Sequence, residues 1–153
     1  MELLPLTQKL KYENEPKLEK KLVSLSQLLD ELKTKQLKEE VITEINQWVT
    51  QINNTNDIKS LRKIARKNYH KIITLLVKQE KLTPKGYYRN IWLAMGMAAF
   101  GVPLGTTFGI AMENMAFLGI GIPIGLAIGL AIGTVMDNKA AKNGTQLNTD
   151  YEI

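Results

Sequence analysis

The sequence predicts an all-α membrane protein, a two-helix transmembrane hairpin preceded by a cytoplasmic helical bundle or coiled-coil domain. Three observations predict it. Residues 91–136 hold one charged group, Glu113, whereas residues 1–90 hold eighteen Lys/Arg and eleven Asp/Glu. Asn90–Met112 and Asn114–Met136 are uncharged runs of 23 residues each; a bilayer core of about 30 Å needs about 20 helical residues. Nine of the eleven glycines lie between Gly96 and Gly133. Together these set a boundary near Arg89 and divide the chain into a basic helical domain (1–86), a hairpin (87–137) and a polar disordered tail (138–153).

In the basic domain, helices are predicted near 17–36, 37–52 and 57–82. Leu18, Leu22, Leu25, Leu29 and Leu32 are spaced 4-3-4-3, an a/d seam for a bundle or a coiled coil. Pro16 suits the start of that helix. Val41, Ile45, Trp48, Val49 and Ile52 share one face of the second, which Asn53–Asn56 ends. Asp57 is a fitting cap for the third, with Ile58, Leu61, Ala65, Tyr69, Ile72 and Leu76 inward. Thr83-Pro84-Lys85-Gly86 stops it. The tail is too polar to fold by itself.

The spans are predicted near 91–112 and 117–136. Gly119–Gly133 alternates large and small residues, a strand period. Neither alternating face is polar, however, and a lumen-facing barrel strand needs one. On a helix, residues four apart nearly align, so the small residues form two stripes on opposed faces. One holds Gly101, Gly105 and Gly109 on the first span and Gly121, Gly125, Gly129 and Gly133 on the second. The other holds Ala99, Pro103, Thr107 and Ala111, then Gly119, Pro123, Ala127 and Ala131. Close approach over small residues joins membrane helices. One stripe can therefore serve the hairpin and the other a further subunit, and the seven glycines are the candidate helix-packing and oligomerisation residues. Mid-span Pro103 predicts a bend, with Thr106 and Thr107 placed to bond nearby carbonyls.

The spans also read as an internal duplication. GVPLG (Gly101–Gly105) matches GIPIG (Gly121–Gly125), and Met112-Glu113-Asn114 matches Met136-Asp137-Asn138. On these motifs the segment Ile91–Asp137 resembles the glycine zipper family of small bacterial membrane proteins. Glycine-zipper helices occur also in pore-forming proteins such as the large-conductance mechanosensitive channel. The alternating glycines are similar, too, to rotor-ring subunits of ATP synthases. Those carry a carboxylate within the second span, which Asn114–Met136 lacks.

A short connection around Glu113–Phe117 makes the helices antiparallel neighbours. Ten Lys/Arg in residues 59–89, by the positive-inside rule, predict a multi-pass protein of the bacterial inner (plasma) membrane with both termini cytoplasmic. No basic n-region precedes an apolar core in MELLPLTQKLKYENE, so no cleaved signal peptide is expected. Lys59, Arg62, Lys63, Arg66, Lys67 and Lys71 line one helix face and, with Arg89, are candidate contacts to anionic lipid. The same face fits a solvated bundle surface. Nucleic acid is the weaker expectation, because no base-reading motif accompanies the charge. Glu113 and Asp137 are candidate pore-mouth charges or, alternatively, plain helix-end carboxylates.

Without cysteine and with His70 as the lone histidine, thiolate and His-pair metal sites are excluded, and no nucleophile, base and orienter assemble. No cofactor and no enzymatic reaction are expected. The expected function is a non-enzymatic, self-associating membrane protein, a homo-oligomer for which a ring is one form, whose helical domain adds oligomerisation or partner docking. The alternative is an oligomeric channel with hydrophobic gating.

Overall fold

The computed structural model describes residues 2–7 and 15–151. Residues 1 and 8–14 of the basic domain and 152–153 of the tail lie outside the described residues. The chain forms two compact units, residues 1–84 with 147–153, and residues 85–146.

The first unit is built on three helices. α1 (Pro16–Leu32) starts on its proline and buries Leu18, Leu22, Leu25, Leu28, Leu29 and Leu32. α2 (Glu39–Asn53) buries Val41, Ile45, Val49 and Ile52. α3 (Ile58–Leu75) begins where the Asp57 carboxylate accepts from Ser60 N at 2.8 Å, satisfying a first-turn amide. It buries Leu61, Ala65, Tyr69, Ile72 and Ile73. The apolar stripes read from spacing thus form one core, with two departures. Ile58, in the first turn beside the cap, is 44% exposed. Trp48 is only half-buried, and its ring lies under the Lys71 ammonium at 5.4 Å.

Beyond Leu75 the helix widens into a π-turn, Leu76–Glu80, closed by Lys81 in the left-handed region (φ 59°). Two short strands then complete the unit: β1 (Thr83–Lys85) pairs with β2 (Gln146–Asp150). The segment expected as a disordered tail therefore holds the end of a helix and a strand. Its composition is polar, but Leu147 is buried and Glu31 of α1 anchors the backbone beside it. The Glu31 carboxylate accepts from Asn148 N at 2.6 Å, Thr149 N at 3.0 Å and the Thr149 hydroxyl at 2.7 Å. Burial pushes the Glu31 carboxyl up, but these hydrogen bonds and the Lys35 charge outweigh it and hold the group below its ordinary range.

The second unit is an antiparallel hairpin. Its first leg is α4 (Tyr87–Gly96), a π-turn (Met97–Gly101) and α5 (Val102–Ala111). Glu113 turns the chain in the left-handed region (φ 50°). A single 3-10 turn, Met115–Phe117, leads into α6 (Leu118–Lys142), which runs unbroken through Pro123. Tyr87–Ala111 and Met115–Lys142 are both long and apolar enough to cross a membrane. Both legs outrun the predicted spans, because the aromatic start and the Lys139–Lys142 end continue the same helices.

Candidate functional site

The hairpin interface is backbone against backbone. Gly96, Gly101, Gly105 and Gly109 of the first leg and Gly121, Gly125, Gly129 and Gly133 of α6 are all buried. A Cβ at Gly105 would lie 2.5 Å from Leu118 O, and one at Gly133 would lie 2.5 Å from Arg89 Cα. At Gly121 it would strike Gly101 O and Gly105 N; at Gly125, Gly101 N and Gly96 O; at Gly129, Trp92 O. No side chain fits at these points, and this is the close approach by which small residues join membrane helices. Six of the seven glycines singled out by spacing therefore pack helix on helix within one hairpin, and Gly109 lies against Met115 in the turn. Buried at that interface, Gly101, Gly105, Gly121, Gly125, Gly129 and Gly133 face the other leg of the same hairpin.

Gly96 joins this face although its spacing hides it. On α6 the glycine step is four throughout, but Gly96 to Gly101 is five. On a continuous α-helix a five-residue step turns about 140° too far. The π-turn removes that error, since Val102 N bonds Met97 O and residues five apart come into line. Pro103 accounts for its position. Proline has no N–H for the Ala99 carbonyl and its ring crowds the preceding turn, so the backbone opens just ahead of it. The Thr106 and Thr107 hydroxyls donate to Val102 O at 2.8 Å and Pro103 O at 2.9 Å, as their positions predict.

The two acids differ. Glu113 is exposed at the tip of the hairpin. Asp137 is 8% exposed, and its carboxylate accepts from Tyr88 N at 3.1 Å and Arg89 N at 3.0 Å. These amides open α4 and have no partner within the helix, and a carboxylate there also meets the positive end of the helix dipole. Asp137 thus caps the opposite leg.

The second stripe faces outward. Ala99, Pro103, Thr107, Ala111, Gly119, Pro123, Ala127 and Ala131 are all exposed, and a Cβ at Gly119 would meet nothing within 4 Å. Around them Phe108, Ile110, Ile120, Ile124, Leu130 and Val135 are exposed.

On α3, Lys59, Arg62, Lys63, Arg66, Lys67 and Lys71 are exposed and, at three- and four-residue spacing, share one face. The helix contains no acid. Arg62 forms an ion pair with Glu15, and Lys71 covers Trp48. Lys21 Nζ stands 4.3 Å over the Tyr69 ring. His70, at the edge of this field, is pushed below its ordinary range by burial and by the charges of Lys21 and Arg66. Arg89 is exposed in the first turn of α4. Among the described residues, no group of three or more His, Cys, Asp or Glu is placed to hold a metal.

Sequence reasoning missed the Glu31 anchor, the Asp137 cap and Gly96. The one usable signal was a glycine five residues ahead of Gly101 with a proline just beyond. Compared with known proteins, the chain matches no family model, no curated protein and no solved structure.

Proposed function

We propose that this chain is a non-enzymatic integral membrane protein of the glycine-zipper type that self-associates through the outward small-residue stripe, with its helical unit adding docking or oligomerisation. One observation carries the reading: the hairpin closes on its glycines and leaves its apolar surface outside. Only 22% and 17% of the two most apolar windows are buried by the chain itself. A core helix of a water-soluble domain would be largely covered, so this exposure supports cover by lipid or further copies. The charge of residues 59–89 supports a bacterial inner membrane with both ends of the hairpin cytoplasmic. The α3 face supports contact with anionic headgroups. The channel reading gains no support, because the Asp137 carboxylate is engaged and the exposed face of the spans is apolar.

The test is native mass measurement of the detergent-extracted protein beside the double variant Ala127→Leu, Ala131→Leu. Self-association over the outward stripe predicts an oligomer that dissociates in the variant while its helical circular dichroism is unchanged. A monomeric parent, or a variant of unchanged mass, would remove this reading.

A further inference from the structure

Residues 2–7 are held on the outer face of α2 by two asparagine side chains. Asn46 Oδ1 accepts from Leu4 N at 2.8 Å while its Nδ2 donates to Glu2 O at 2.9 Å. Asn53 repeats the pattern: Oδ1 accepts from Thr7 N at 2.9 Å and Nδ2 donates to Pro5 O at 3.1 Å. Each amide engages a carbonyl and the N–H two residues later, and the second pair follows the first by three residues. Primary amides suit this because they present donor and acceptor side by side.

The two repeats are matched in length. Asn53 follows Asn46 by seven helical steps, a rise of about 10.5 Å. Three residues of extended or polyproline-type chain, Leu4 to Thr7, cover about 10 Å. The four bonds all go to main-chain atoms, so the face recognises an extended backbone.

The grip is also superficial. Glu2, Leu4, Pro5 and Thr7 are exposed, and Leu3 and Leu6 only half-buried. Release therefore uncovers little of the core. Eight residues separate Thr7 from Pro16 in the sequence.

We propose that Asn46 and Asn53 form a main-chain clamp that takes the 2–7 segment of a second copy of this chain, so that neighbouring copies exchange segments. The occupant is the one the clamp is seen to hold, and exchange of an identical element is a low-cost route to association. It deepens the self-association proposed above and rests on it, since copies sharing a bilayer bring clamp and segment together at high local concentration.

The chain has no cysteine, so engineered thiols are unique. Full-length chains carrying L4C and T50C, each with a different tag, are co-reconstituted in liposomes and treated with a short bismaleimide. Thr50 lies between the two asparagines on the same helix face. Exchange predicts an adduct joining the two tags, reduced at least about tenfold when the T50C chain also carries N46A and N53A. A chain bearing both L4C and T50C reports docking as such. If that chain cross-links internally while the mixed tags do not, the segment belongs to its own chain and the proposal is overturned. An inter-tag adduct indifferent to N46A and N53A overturns it equally. Native mass of the same sample separates the two ideas: an oligomer without the adduct removes exchange alone, whereas a monomer removes both.

Discussion

The Asp137 carboxylate accepts a hydrogen bond from Arg89 N at 3.0 Å, joining residues 48 positions apart at the open end of the hairpin. Asp137→Ala leaves this amide and that of Tyr88 without a partner. The expected loss is about 1–3 kcal/mol, read as a lowered midpoint in denaturation of the purified protein in detergent. Asp137→Asn keeps an acceptor oxygen and should lose less. An alanine variant as stable as the parent would show that the cap contributes nothing.

The two glycine environments give opposite signs for one chemical change. Alanine is favoured over glycine in a helix by about 1 kcal/mol. Gly119→Ala, facing open space, should be neutral or stabilising by that amount. Gly129→Ala drives a methyl into Trp92 O and should destabilise the hairpin despite the same propensity gain. Paired melting curves decide the matter, and equal shifts would contradict the backbone-to-backbone interface.

The Glu31 anchor is pH-dependent. Its carboxyl is held below its ordinary value of 4.5 in the folded chain. A depressed carboxyl contributes stability that is present above its unfolded pKa and lost as pH falls through the folded one. The link to β2 should therefore be intact at neutral pH and loosen only in acid. The Glu31 side-chain carboxyl, followed by NMR, should titrate with a midpoint below 4.5. Glu31→Gln should remove the acid dependence and expose β2 to protease at neutral pH. A midpoint above the ordinary range would show that burial dominates.

The basic face predicts a lipid preference. In mixed micelles, phosphatidylglycerol should raise the melting temperature more than phosphatidylcholine does, and salt should erase the difference within a Debye length of about 10 Å at 0.1 M. Replacing Lys63, Arg66 and Lys67 by Gln should reduce the preference. Equal stabilisation by both lipids would leave the face as a solvated bundle surface.

Much of this fold is legible in local spacing. The Leu18–Leu32 seam, the Asp57 cap and the two small-residue stripes each follow from residues within a few turns of one another. The assignment of faces is less legible. Gly121 and Ala127 belong to stripes of similar character, and only packing against the other leg decides which is buried. Gly96 escapes a four-residue rule because the helix itself changes period before Pro103. Gln146–Asp150 has no apolar alternation; it is a strand because β1 and Glu31, distant in sequence, supply its partners. Asn46 and Asn53 read as ordinary polar positions until the segment they hold is placed beside them.

The pairing of β1 with β2 implies an order of assembly. Sixty residues, 86–145, separate the two strands, and direct closure of so long a flexible loop is entropically unfavourable. Once the glycine faces have met, Gly133 lies against Arg89 and the flanking segments emerge as neighbours. Strand pairing and the Glu31 anchor then close at small entropic expense. Protection of the Asn148 and Thr149 amides would thus serve as a reporter of hairpin completion during biogenesis.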